Sequence, residues 1–435
     1  MATAQWWISG WTAAGTTAVI RPIQGGVEGT AIAPVNRAQM WVPVSAAGTI
    51  TAIRVDLSVA PGAGKSRTYT VYINGSASTI AVTISGTDIT GTVTGTEALV
   101  AGDLVTVEQT TAGTPATSAV QVSVAFVPTT LDNFTYPAHS NYNSGPSQIT
   151  PGAVPYYEPL LFGSDTLETA EAVGHTHDLA PFAGEITAFY VKQQTVSGAS
   201  KSYTYVVTIN GIEQTASELT ISGGAATTAS VSGLHLTVNG GDTLTFKAKS
   251  QSGTPNDTRV MWATTFVPAD VGRFAIGGHS AANPSQASAT YFAPFGVIHH
   301  NAGSEASDVN DWIPTFSPAA LDVVSFYLSL ATAPGAGKSW AFASRKNLGA
   351  GSLAVSVSES ATTGNDLSPA DSLTTGDTLD WRCTPSGTPA NQGGIEFAMG
   401  LAPTSGTAYD PSTGWTWGQQ GTTQPAMPTV AVLAY

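Results

Sequence analysis

Charge is the scarcest resource of this chain. Only 10% of its 435 residues are Asp, Glu, Lys or Arg, against about a quarter in ordinary soluble domains. Fifteen basic residues face 29 acidic ones for a net charge of −14, and no Lys/Arg cluster occurs. Nucleic-acid binding is driven by phosphate neutralisation, so no DNA or RNA partner is expected; the same charge disfavours acidic membrane surfaces. Cysteine is nearly absent. Cys383 stands alone, which excludes an intrachain disulfide and suits a reducing cytosol. No stretch approaches the ~18 apolar residues of a membrane-spanning helix. The opening MATAQWWISGW lacks the basic and apolar regions of a signal peptide, so a soluble product made in a cytoplasm is expected. Helical patterning is scarce as well, with Leu167 to Val173 the best short candidate.

What the chain does have is one stretch written three times. Residues 60–75 read APGAGKSRTYTVYING, residues 197–211 read SGASKSYTYVVTING, and residues 333–347 read APGAGKSWAFASRKN. The lysines Lys65, Lys201 and Lys338 lie 136 and 137 residues apart. A period close to one domain length implies three copies of a domain rather than a solenoid. Gly64-Lys65-Ser66 and Gly337-Lys338-Ser339 imitate the end of a phosphate-binding loop. The first glycine of that motif is replaced by Val59 and Thr332, and a β-rich run closed by Asn74-Gly75 follows instead of a helix. The reading is a glycine-rich turn between two strands with a lysine at its tip, not a nucleotide site.

Other landmarks recur in order. Gly102-Asp103 returns as Gly241-Asp242 and Gly376-Asp377, and Gly113-Thr114-Pro115 as Gly253-Thr254-Pro255 and Gly387-Thr388-Pro389. Phe126-Val127-Pro128 returns as Phe266-Val267-Pro268 and, loosely, as Leu401-Ala402-Pro403. Glycine supplies positive φ, aspartate bonds the backbone ahead, and proline ends strand pairing. Short strands at regular spacing with turn signals between them predict an all-β chain of three tandem β-sandwich domains, 1–128, 129–269 and 270–403. Copies differ most in their first thirds, around Tyr136–Ser140, Tyr156–His177, Gly277–Ser280 and Tyr291–Asp311, as one scaffold fitted to different neighbours would. Residues 404–435 form an extended C-terminal arm.

Candidate chemistry is thin. His175, His177 and Asp178 place two imidazoles and a carboxylate within four residues, but no third ligand position is specified and the cluster does not recur. A solvated loop or an interface is the expectation, with no metal. His299-His300 and Asp308–Asp311 are weaker still, the latter lacking the glycine and distal glutamate of a calcium loop. Cys383 beside Arg382 reads as a half-buried structural thiol. No nucleophile elbow or HExxH motif occurs. The chain reads as a non-enzyme without cofactors.

The repeated APGAGKS–strand–NG block, with its Gly-Asp-strand and SGTP-like turns, resembles β-sandwich modules in structural proteins of tailed-bacteriophage particles. The resemblance covers the later two-thirds of each copy. It implies jelly-roll-like modules and a virion component assembled in the host cytoplasm. The leading expectation is a capsid decoration or cement protein on the head exterior, contacting the major capsid protein or other virion proteins, as a trimer or a pseudo-three-fold unit. The alternative is a tail-fibre or adhesin-like module whose ten tryptophans and variable loops bind host glycans. The arm carries the expected interface: Trp415 and Trp417, then Val430, Val432, Leu433 and Tyr435 in a strand-competent end. Left in water, each large side chain of that end forgoes about 1.5 kcal/mol or more.

Overall fold

The computed structural model describes residues 5–8, 12–14, 19–21, 41–57, 59–130, 133–139, 148–152, 155–161, 168–171, 176–270, 273–280, 284–292, 296–298, 315–316, 321–368, 371–374 and 377–404. These residues are all-β, with a single 3₁₀ turn at Thr215–Ser217. The helix candidate around Leu167 is not borne out over its described part: Glu168 forms a β-bridge to Tyr157.

Strands of the first copy are β1 (Gln5–Ile8), β2 (Thr12–Ala14), β3 (Val19–Arg21), β4 (Val42–Pro43), β5 (Gly48–Leu57), β6 (Gly62–Ile73), β7 (Ser76–Gly86), β8 (Thr90–Leu99), β9 (Leu104–Ala112) and β10 (Ser118–Pro128). The second copy has β11 (Phe134–His139), β12 (Tyr156–Pro159), β13 (Asp178–Leu179), β14 (Gly184–Gln193), β15 (Gly198–Ile209), β16 (Ile212–Glu213), β17 (Leu219–Gly223), β18 (Thr228–Val238), β19 (Thr243–Ser252) and β20 (Val260–Pro268). The third has β21 (Phe274–Ser280), β22 (Thr290–Phe292), β23 (Gly296–Ile298), β24 (Thr315–Phe316), β25 (Leu321–Leu330), β26 (Gly335–Lys346), β27 (Gly349–Glu359), β28 (Thr363–Asp366), β29 (Ser372–Leu373), β30 (Thr378–Ser386) and β31 (Ile395–Pro403).

One strand order is written three times. The first copy forms sheets β1-β10-β5-β8 and β3-β9-β6-β7; the second β11-β20-β14-β18 and β12-β19-β15-β16. The third forms β23-β21-β31-β25-β28 and β22-β30-β26-β27. Only the β21–β23 pair is parallel among the described pairings. The register repeats as well: each fifth-strand equivalent carries one bulge, between Ile50 and Ala52, Ile186 and Ala188, and Val323 and Ser325. Alternation along the strands fills a core lined from both sheets of a copy. In the first copy, Val120, Val122, Val124 and Phe126 of one sheet meet Tyr69, Val71, Val105 and Val107 of the other. Trp7 stacks on Phe126 with ring centroids 4.6 Å apart. Corresponding cores surround Phe246 and Trp262, stacked at 4.1 Å, and Phe326 and Trp381.

The thrice-written stretch proves to be the start of a strand. The lysine is not a free tip. A Cβ placed on Gly113 would lie 3.1 Å from the Lys65 Cγ, and one on Gly62 would lie 3.6 Å from its Cδ. Gly253 with Gly198 flanks Lys201 in the same way, and Gly387 with Gly335 flanks Lys338. Each lysine stem lies between two glycines with positive φ, its methylenes against their backbone.

The Gly-Asp landmark also has a fuller role than a local turn. Asp103 accepts from the Asn74 amide at 2.7 Å and from the backbone N–H of Val100, which lies behind it rather than ahead. Asn74 in turn accepts from the Leu104 N–H. Asn210 with Asp242 and Asn347 with Asp377 repeat this clasp. It ties the β6–β7 turn, where Asn74 and Gly75 have φ of 50° and 84°, to the turn before β9. Burial acts to raise the Asp377 pKa, but Lys346, Asn347 and Thr374 outweigh it and hold the carboxyl well below its ordinary value. Asn74→Ala and Asp103→Ala should each cost about 1 kcal/mol, the usual net worth of such a bond. The double variant should be little worse than either single one, read as non-additive shifts in denaturation midpoint.

Candidate functional site

The chemically distinctive places on the described molecule are the joints between successive copies. At the first joint, β4 of copy one packs against β11, β14 and β20 of copy two. The Ser45 and Thr265 hydroxyls bond at 2.7 Å, and the Trp7 indole N–H donates to the Thr135 carbonyl at 3.0 Å. At the second joint, β13 of copy two packs against β21, β25 and β31 of copy three. There the Ser325 hydroxyl donates to the Pro181 carbonyl. The elements correspond strand for strand, so one head-to-tail contact is made twice.

Each joint has the same knob. Tyr190 and Tyr327 occupy equal slots, opposite Ala263 and Ala398 in their sheets. Each ring rests on the clasped corner of the preceding copy. A Cβ on Gly102 would lie 3.2 Å from the Tyr190 ring, and one on Gly241 would lie 2.9 Å from the ring of Tyr327. Gly240 admits the Tyr327 hydroxyl end, which a side chain there would hit. Burial is the main cause that raises the pKa of both phenols, and Asp103 and Asp242 of the clasps add to it. The glycine of the Gly-Asp landmark therefore serves a neighbour as well as its own turn.

Between the knobs the two joints differ. His177, just before β13, brings its Nδ1 to 3.4 Å from Glu396 Oε1 of copy three and its Nε2 to 3.8 Å from Glu171 Oε1. Its imidazole is 12% exposed and the Glu396 side chain 1%. Trp41 stands at the same place before β4, and Met261 has the register position of Glu396. Trp41 lies over Gly75, where a Cβ would be 3.2 Å from its ring, whereas Glu171 lies nearest Gly211. At matching positions, Trp41 before β4 thus gives way to His177 before β13, and Met261 of β20 to Glu396 of β31.

The suggested metal trio comes apart. Asp178 is buried and accepts the Leu161 backbone N–H, while His177 faces Glu396. His175, His299-His300 and Asp308–Asp311 lie outside the described residues, as do Trp415, Trp417, Val430, Val432, Leu433 and Tyr435. Among the described residues no three His, Cys, Asp or Glu side chains are grouped to hold a metal. Cys383 is fully buried rather than half-buried, and burial raises its pKa far above the ordinary thiol range. Arg382 does not lower it, because adjacent strand residues face opposite sides and Arg382 is exposed. Other buried charges are held by structural bonds. Arg345 forms a two-pronged pair with Asp380 at 2.6 and 3.0 Å, under the Tyr291 ring. Asp371 accepts from Ser344, Ser352 and the Leu353 N–H.

Sequence reasoning missed Tyr190, Tyr327 and Glu396. The recurrent Phe-Tyr pairs at 189–190 and 326–327 were the available signal; Glu396 had none. No known protein-family model matches the chain, and no curated protein matches it either.

Two outcomes test this account. Cys383 should resist alkylating reagents in the native protein and react once denaturant exposes it, as quantified by intact mass. Titration calorimetry with ATP or GTP, with and without magnesium, should give no heat, because the Lys65 and Lys338 stems are held between glycines and lead into strands rather than helices.

Proposed function

We propose that the chain is a non-catalytic building block of a bacteriophage particle, a decoration or cement subunit on the head exterior. The observation that carries this reading is the head-to-tail joint made twice with one geometry and two chemistries. An enzyme scaffold has no need of such a joint, whereas a shell subunit uses repeated, slightly different contacts to meet unlike neighbours. In this reading the interleaved strand order of each copy is that of a jelly roll, an architecture common in capsid domains.

The three copies act as a pseudo-three-fold unit. Outward-facing residues of the acceptor sheet are buried by the preceding copy in copy two, where Ala263 and Thr265 are at most 1% exposed. In copy one their counterparts Ser123 and Ala125, with Ala52, are buried to the same degree. That is the burial a third contact of the same kind, from copy three onto copy one, would produce. Sugar stacking, the alternative, loses support from Trp7, Trp262, Trp340 and Trp381: all are core side chains and offer no ring face to a glycan.

Light scattering should therefore give a monomer of 44.4 kDa for the isolated protein. Quantitative mass spectrometry of purified particles should find hundreds of copies, and reconstruction should place them on the head. A handful of copies, or density only at the tail, would overturn the proposal.

A further inference from the structure

We propose that the joint between the second and third copies is a pH-sensitive latch, closed by protonated His177 held against Glu396 and Glu171, whereas the first joint lacks one. Both copies contribute to it, so its charge state acts between domains rather than within one. Glu396 sits on the outward face of β31 and is wholly buried by the joint. An imidazolium at 3.4 Å places an opposite charge beside that carboxylate where water is scarce. Glu171, whose Oε1 also accepts the Thr208 hydroxyl at 3.1 Å, lies 3.8 Å from the second ring nitrogen, so His177 can present a positive charge to both carboxylates. Only the protonated ring can do so.

The carboxylates around His177 come from both copies. Asp178 follows on β13, and Asp242 lies at the clasped corner of copy two. From copy three, β31 presents Glu396 and β25 carries Tyr327 and Asp322, while His279 of β21 pairs with Glu396 in the strand register. Burial opposes charging of His177. Glu396 first, then Glu171 and Asp178, outweigh that cost and raise its pKa above the ordinary value. A raised histidine pKa contributes stability that is fully present below the unfolded value of about 6.5. That contribution is lost as pH rises through the folded value. The latch is therefore shut in mild acid and released on the alkaline side, where the imidazole turns neutral beside a buried carboxylate. Trp41 and Met261, which hold the matching positions in the first joint, do not titrate; His139, opposite Met261 in the strand register, has its counterpart in His279 opposite Glu396, so it does not distinguish the two joints.

Amide hydrogen exchange on the full chain, corrected for the pH dependence of the intrinsic rate, reads both joints at once. Raising pH from 5.5 to 9 should lose protection at 177–179 and 395–401 while leaving 42–44 and 260–266 unchanged. His177→Gln should abolish that difference. His235→Gln, at the exposed pair with Glu185, should not. Should His177→Gln fail to fold, the proton NMR titration of His177 in the unaltered protein decides by itself. A midpoint at or below 6.5, equal loss of protection at both joints, or persistence of the difference in His177→Gln would each overturn the latch.

Discussion

The clasp between an asparagine in one turn and an aspartate in another is the interaction on which the rest of this architecture depends. Asn74–Asp103, Asn210–Asp242 and Asn347–Asp377 each hold two turns of a copy as one corner. A corner tied by bonds to side chain and backbone is stiff enough to serve as a docking point. The glycine beside the aspartate leaves its surface bare, and the next copy lays a tyrosine there. Fold upkeep and assembly thus share the same residues. This is why the landmarks recur so faithfully while the segments around them diverge.

From that shared geometry the joints have moved apart chemically. Tyr190 and Tyr327 keep one contact constant. Around them, an indole and a thioether in one joint correspond to an imidazole and a carboxylate in the other. Changes of this kind are tolerated because the backbone register of both sheets, including the bulge at each fifth-strand equivalent, is set independently by the two-sheet cores. Core side chains such as Trp7, Trp262 and Trp381 fix the strands; the outward positions are then free to vary with the neighbour.

Some strands were hidden for a physical reason. β8 reads TGTVTGTEAL, with too few large apolar residues to signal a strand. Its Gly91 and Gly95 turn inward, and a Cβ on either would lie 2.7 Å from Val82 or Ile80 of β7. β28 repeats the device with Gly364 against Val355. The neighbouring strand fills the space, so the burial is real while the hydrophobic pattern is missing. β6 and β15, by contrast, were legible because β-branched and aromatic residues alternate along them and an Asn-Gly turn closes each.

The sequence by itself determined the class and the count: an all-β chain, one pattern in three copies, hairpins at Asn74-Gly75 and Asn210-Gly211, and strands ending at Pro128, Pro268 and Pro403. These follow from local rules of alternation, turn conformation and missing N–H donors, which act over a few residues. Tertiary structure alone decided that Lys65 lies between glycines 51 residues apart, that Asp103 serves Asn74, and that His177 meets Glu396 across 219 positions of chain. Such partners are chosen by how sheets stack and copies dock. No periodicity along the chain records which distant side chain a folded surface will bring near.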